Sequence, residues 1–385
     1  MQATQPAGNK ILLAHLNSNG DCLYATVIAR QIKEVDYPGC HLTWAVNSKS
    51  KQSILLNPYV DEIWEIPTLS SITSEVEWND FVSKAEQRKS AGDFNHIFYT
   101  QLIGRNFNQV DGGIRSSTYN NYPNKITVSQ QPILRLSASE VERVKTFAQQ
   151  QQLNKYTHVI LMECGPESFQ SSLNPASSLQ WARELLSTHK DLAIILSSNK
   201  KIETTLPGII DGSLLTFREN AELTKYCSLF IGCSSGISWL TTTDWAKPLP
   251  KIIINNYSFR LFASMVYDHE YAGLPVNDII ELRQDKNVME RLEQCVQVIL
   301  NTSFAKAKNQ YHQAFRIENY SFIYQVLRDS FKRLEFVNPM PILRRSIKRN
   351  GFNFRAVLNI LKAYLKMPFQ FLITGIKGIT KKKKL

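Results

Sequence analysis

The sequence contains no CxxC pair, no P-loop phosphate motif and no D-x-D. Each absence removes a class of function. Six scattered cysteines without paired spacing argue against a zinc ribbon or a disulfide framework, and their apolar surroundings read as reduced, mostly buried thiols of an intracellular protein. Without a P-loop the chain is not a nucleotide hydrolase of that type, and without D-x-D nothing marks a metal-bridged phosphate site. The seven histidines show no metal-ligand spacing. The N-terminus, "MQATQPAGNK", has neither a basic patch nor a long apolar run, so no secretory signal is expected. Acids are missing altogether from residues 341–385, which carry twelve Lys and Arg. Removing those twelve from the total of 45 leaves 33, equal to the 33 acids. The first 340 residues are therefore neutral overall, which argues against nucleic acid as a partner of the folded body.

What is present is length and apolar content. A chain of 385 residues, 43% hydrophobic, is comfortable for two domains. Short apolar runs alternate with helical patterns: "KILLAHL", "HLTWAV" (41–46), "VDEIWEI" (60–66) and "HIFYT" (96–100), then, after a seam near 140–157, "HVILMEC" (158–164), "LAIILSS" (192–198), "SLFIGC" (228–233) and "KIIIN" (251–255). Such alternation implies βαβ units and parallel sheets. Ser137 or Ser139 can cap the helix that starts "SASEVERVK", with acids in its first turn. The reading is α/β, two Rossmann-like halves facing a cleft, with ligands at the C-terminal ends of the strands. After residue 284 the pattern turns helical, and an aromatic-rich stretch over 309–336 reads as core packing.

Two loops carry the candidate chemistry. In "LNSNGDCLY" a strand ends in Asn, Ser and Gly, and Asp21 opens a helix beside Asn19 and Gly20. Asp21 reads either as a first-turn acid favoured by the helix dipole or as a general base at the mouth of the cleft; Gly20 allows a tight turn and close approach. In "FIGCSSGISWL" a strand ends in Ser234, Ser235 and Gly236, and the next helix begins. Backbone N–H groups at such a start can cradle a diphosphate; simple capping is the alternative. One loop lies in each half, so together they suggest sugar transfer between a base-activated acceptor and a nucleotide-sugar donor.

These stretches resemble glycosyltransferase family 9, the heptosyltransferases. The matching features are Gly20-Asp21, Ala25-Thr26, the Tyr37-Pro38-Gly39 turn, Asn57-Pro58 with Val60-Asp61, and "ENAELTKYCSLFIGCSSGISWLTTTDWAKPLPKIII". The resemblance spans roughly 10–68 and 130–257. It implies a GT-B fold, with residues 1–140 as acceptor domain and 150–300 as nucleotide-sugar domain; pattern and charge add 301–340 as a helical extension and 341–385 as a basic amphipathic tail. The resemblance also implies Asp21 as the base that activates the acceptor, and Ser235 and Gly236 against the donor diphosphate. The chain departs from the family pattern at Ser234, where Asp is usual, and at Trp239, where His is usual; both positions are still read as donor-binding. The family's phosphate-binding Lys has no clear equivalent in "GPESFQSSLNP". Arg260 is a candidate for the missing positive charge, and Glu163 for the sugar. No cofactor or metal is expected.

The function so implied is transfer of a sugar from a nucleotide donor, an ADP-linked sugar among the options, to a lipopolysaccharide, capsule or other lipid-linked glycan. The alternative is a non-catalytic GT-B-like protein that binds a nucleotide or glycan. The tail's longest uncharged run, Met367–Ile376, is too short to span a bilayer. Its mixture of basic and apolar residues fits an anchor on an anionic membrane, placing the protein in the cytoplasm, peripheral on the inner face.

Overall fold

The computed structural model describes residues 8–67, 74–166, 171, 173–256, 264–317 and 320–366. The first half opens with β1 (Lys10–Ala14) and α1 (Asn19–Gln31), which ends in a π-helical turn over Ile32–Asp36. It continues with β2 (His41–Asn47), β3 (Glu62–Ile66), α2 (Glu75–Ser90) and β4 (His96–Tyr99). The four strands form one parallel sheet in the order β3-β2-β1-β4. Two helices, α3 (Ile114–Tyr119) and α4 (Ala138–Gln150), lead to the second half.

The second half comprises β5 (His158–Glu163), α5 (Pro175–Thr188), β6 (Leu192–Ser197), β7 (Ile209–Asp211), α6 (Glu219–Leu223), β8 (Leu229–Gly232), α7 (Gly236–Leu240), β9 (Lys251–Asn255), α8 (Met265–Ala272) and β10 (Ile279–Arg283). Its six strands are also all parallel, in the order β10-β9-β8-β5-β6-β7. Their apolar runs follow from position: β6 is buried at all six residues, since helices cover both faces of such a sheet. Two strands escape the sequence reading. β7 is only three residues long, and the apolar core of β10 is a bare "II-L" beside charges, so neither shows a periodic signal. The helix starts are conventional. Ser137 and Glu140 form a reciprocal capping box on α4, and Asn174 caps α5 with Pro175 at the first helical position.

The remaining helices are α9 (Val288–Asn301), α10 (Phe304–Tyr311), α11 (Ser321–Lys332) and α12 (Met340–Asn350), followed by a helical stretch over 354–366. The aromatic-rich stretch is thus split between two helices. Its rings pack as expected: Tyr320, Phe322 and Phe331 form a core with Ile342, Ala356 and Ala363 against Val110 of the first half. All six cysteines are free and buried.

The two halves share one continuous apolar core running from Ile11 and Tyr24 to Trp239 and Ile253. Polar junctions join them as well, three of them built on arginines withdrawn from solvent. Arg218 is 4% exposed and places its guanidinium on Glu140 (2.6 Å), on the carbonyls of Gln52 (2.8 Å) and Leu55 (3.1 Å), and on that of Arg135. Arg115, fully buried, donates to the Gln130 carbonyl (2.7 Å) and pairs with Asp268 of α8 at 2.7 Å. From α12, Arg349 donates to the Tyr267 hydroxyl (2.7 Å), stacks on Tyr267 and Tyr271 and faces Asp111 at 3.8 Å, while Asn350 donates to the Asp111 carbonyl.

Arg218 satisfies acceptors from three chain segments, and no shorter side chain reaches them all. Truncating it takes the charge partner from the partly buried Glu140 carboxylate, which keeps only its Ser137 donors, and the guanidinium donors from several carbonyls. Arg218→Ala is expected to lower unfolding free energy by about 3–5 kcal/mol, measured by denaturant unfolding.

Candidate active site

In open parallel sheets the crevice lies where chain order reverses, outside the carboxyl ends of the strands. In the first sheet that point falls between β1 and β4, and in the second between β5 and β8. The loop before Asp21 leaves β1, Glu163 ends β5, and the Ser234–Gly236 turn leaves β8. The topology therefore brings both candidate loops to switch points.

The first loop is anchored from β4's side. Gln101 Oε1 accepts from the Leu16 and Asn17 N–H groups at 3.0 and 2.9 Å, and the Asn17 and Asn47 amides bond to each other. Asn19 Oδ1 accepts from Ser53 Oγ at 3.0 Å, which fixes Asn19 to the neighbouring turn. Ser18 occupies the N-cap position with φ of 72° and makes no side-chain cap bond. The capping expected of this polar loop is therefore not what its side chains do. A non-glycine residue at such a φ is strained, and strain of this kind collects at functional sites.

Asp21 lies in the first helical turn, partly exposed. Among the described residues no donor reaches its carboxylate. A helix start normally favours the ionised form, but burial dominates here and pushes the carboxyl up to about 7. A carboxyl poised near neutrality and free of partners has the properties of a general base.

The second loop shows a parallel construction. Ser234 has φ of 50°, again strained, and Ser235 is the N-cap of α7 without a cap bond. The Ser235 hydroxyl is turned inward instead. It donates to Glu163, as does Ser238 Oγ at 2.9 Å, while Cys233 Sγ approaches the same carboxylate at 3.7 Å. Glu163 is 2% exposed; burial raises its carboxyl against the lowering pull of those donors. The residue read as a sugar contact thus lies beneath the turn, holding Ser235 and Ser238.

Gly20 and Gly236 bring the two loops together. A Cβ on Gly20 would stand 3.1 Å from Trp239 Cδ1, and one on Gly236 would stand 3.2 Å from both Asn19 Cβ and Phe217 Cε2. Trp239 is enclosed at this contact. Its Nε1 donates to the Ser234 carbonyl (3.2 Å), its ring meets Tyr24 edge-on at 4.7 Å, and the Arg115 guanidinium lies over Tyr24 at 4.5 Å. Its side chain joins the halves at the contact where the sequence reads it as donor-binding.

Arg260 lies outside the described residues, as do Glu167 and Ser172. The buried cation at this junction is Arg115, which the sequence reading passed over inside an irregular Asn/Tyr/Ser-rich stretch. Its only signal was a lone Arg between Ile114 and Ser116, indistinguishable from a surface residue. Gly232–Gly236 also satisfies G-x-S-x-G spacing in a strand–turn–helix setting. Ser234 is 5% exposed, however, which leaves an acyl substrate no approach to its hydroxyl.

Neither a protein-family model nor a curated protein sequence matches the chain. Solved structures do. A glycosyltransferase of family 9 from Veillonella parvula is 12% identical, with 78% of this chain and 94% of that one covered at a TM-score of 0.53. ADP-heptose lipopolysaccharide heptosyltransferase II of E. coli is 14% identical, with 77% and 99% covered at a TM-score of 0.50. At these identities the likeness is one of fold, and the chain has the two-sheet α/β fold, GT-B, that these glycosyltransferases have.

Proposed function

We propose that the protein is a glycosyltransferase that moves a sugar from a nucleotide donor to a glycan or lipid-linked acceptor. The observation that carries this reading is Asp21: a carboxyl poised near neutrality, without a donor among the described residues, at the switch point of one sheet and next in sequence to Gly20, which meets the turn at the switch point of the other. In this reading residues 1–140 receive the acceptor and 150–300 the donor. Asp21 takes the proton of the acceptor hydroxyl, whose oxygen attacks the anomeric carbon. The nucleoside diphosphate leaves toward the backbone N–H groups at Ser235 and Gly236. Ser235 Oγ is committed to Glu163, so the backbone rather than the hydroxyl meets the phosphate. No metal ion is invoked, in keeping with the lack of D-x-D. An ADP-linked sugar is the first donor to test, because the E. coli enzyme of like fold is named for ADP-heptose. In this reading the excess of Lys and Arg after residue 340 supports work at the cytoplasmic face of a membrane.

One observation favours a second reading, a non-catalytic nucleotide or glycan binder. The loops that bracket a donor touch through Gly20 and Trp239, and the usual phosphate-binding Lys is absent. Titration with a panel of nucleotide sugars, followed by transfer assays, separates the two: binding without transfer or hydrolysis supports the second.

Asp21→Asn is expected to lower transfer by about 10²–10⁴-fold. Wild-type activity should fall as pH drops below about 7, where the base takes up its proton. Normal turnover by the variant would remove Asp21 from the role of base. The same variant has a stability signature. An unfolded Asp ionises near 3.9 and the folded one near 7, so the folded chain holds a proton over that window. The stability due to that proton is full below about pH 4 and is lost as pH rises through about 7. Relative to Asp21→Asn, wild-type unfolding free energy should decline by about 1.4 kcal/mol per pH unit across this window, read by denaturant melts at a series of pH values.

A further inference from the structure

The stretch over 354–366 has two apolar faces. Ala356 and Ala363 are buried in the core made with Phe331 and Ile342, and Ile360 and Tyr364 pack beside them. On the opposite side Phe354 (61% exposed), Leu358, Leu361 and Leu365 (76% exposed) stand in solvent. Their spacing, i, i+4, i+7 and i+11, confines them to an arc of about 60° on an ideal helix. Phe352 precedes them, exposed, and Phe336 extends the patch where its ring meets Tyr364 at 5.8 Å. One helix cannot bury both faces against the same body, so the outer stripe has no partner within the described chain.

The charges beside the stripe specify what covers it. Arg355, Lys362 and Lys366 are exposed and share one flank of the helix, between the inner and outer apolar faces. No acid follows Glu335 anywhere in the sequence. A second copy of this chain would bring like charges against like. A surface that accepts a shallow row of Phe and Leu while attracting cations is an anionic lipid interface. No described helix is long and apolar enough to cross a membrane, which leaves a helix that lies along one.

We infer that the helix over 354–366 lies in the plane of an anionic membrane, with Phe354, Leu358, Leu361 and Leu365 entering the acyl boundary and Arg355, Lys362 and Lys366 on the headgroups. This deepens the membrane half of the proposed function and rests on it. The helix is docked through its inner face to the core that contains Val110. It therefore carries the acceptor half to the surface where a lipid-linked acceptor resides.

The test is co-sedimentation of the full chain with vesicles of phosphatidylcholine alone and of phosphatidylcholine with phosphatidylglycerol. Binding to the mixed vesicles only, weakened by salt, is expected. Leu358→Glu with Leu361→Glu should weaken it roughly tenfold or more, and Lys362→Glu with Lys366→Glu by a comparable factor. Leu358 and Leu361 are exposed, so thermal melting of their variant should not shift; a melt that does shift is met by Leu358→Ser with Leu361→Ser, milder changes that must also weaken binding. Lys362 and Lys366 lie over the Tyr324 ring at 5.2 and 6.0 Å, so their variant is compared at a temperature below its own melt. No vesicle binding, equal binding to both vesicles, or a dimer that Leu358→Glu dissolves in the absence of lipid overturns the inference. Transfer onto a water-soluble acceptor, assayed in parallel without vesicles, reports on the glycosyltransferase reading separately.

Discussion

Two helix starts from different halves of this protein meet face to face, at a spacing that suits Gly20 and Gly236 because neither carries a side chain. A single methyl group at Gly20 would press on Trp239, and one at Gly236 would press on Asn19 and Phe217. Everything proposed for the site depends on that contact. It fixes the helix start that carries Asp21 against the turn of the other half. Burial of Asp21 at that helix start outweighs the helix dipole and holds the carboxyl near neutrality. The strained backbones of Ser18 and Ser234 flank the same contact. Strain of a few kcal/mol persists there because the surrounding packing over-determines it.

The cost of burying charge at this junction is met by geometry. Arg218 and Arg115 are withdrawn from solvent, where an unpaired cation would be costly. Arg218 is surrounded by carbonyls and Glu140, and Arg115 lies over an aromatic ring with Asp268 beside it. A planar guanidinium suits both places, since it donates along its edge and stacks on its face. Lysine would serve neither. The same logic recurs where Arg349 lies over Tyr267 and Tyr271 and connects the last helices to both halves.

Much of this architecture was legible in the sequence because parallel sheets leave strong local traces. Runs such as "KILLA", "HVILME" and "KIIIN" are apolar on both faces, and no other element of that length reads so. β7 and β10 escaped because a strand's signal scales with its length, and theirs is a few residues. The loops of the site were found through small residues at strand ends. The contacts of Glu163 and Trp239 within the fold were not, because orientation decides them: a carboxylate at a strand end faces either the ligand or the floor, and residue type alone does not distinguish the two. The interdomain arginines were hidden for a related reason. Burial of a cation depends on partners distant in sequence, such as Asp268 for Arg115, and no local pattern announces it.

The six free thiols have a further consequence. Cys22 and Cys40 lie in the first half, and Cys164, Cys227, Cys233 and Cys295 in the second, all shielded from solvent. Burial pushes Cys164, Cys227 and Cys295 up to about 12, so they stay protonated and unreactive while the fold is closed. Only opening of the surrounding structure turns each into a nucleophile. The chain thereby carries an internal clock: the order in which its sulfurs become alkylated records which half breathes first, residue by residue, with no engineered cysteine needed.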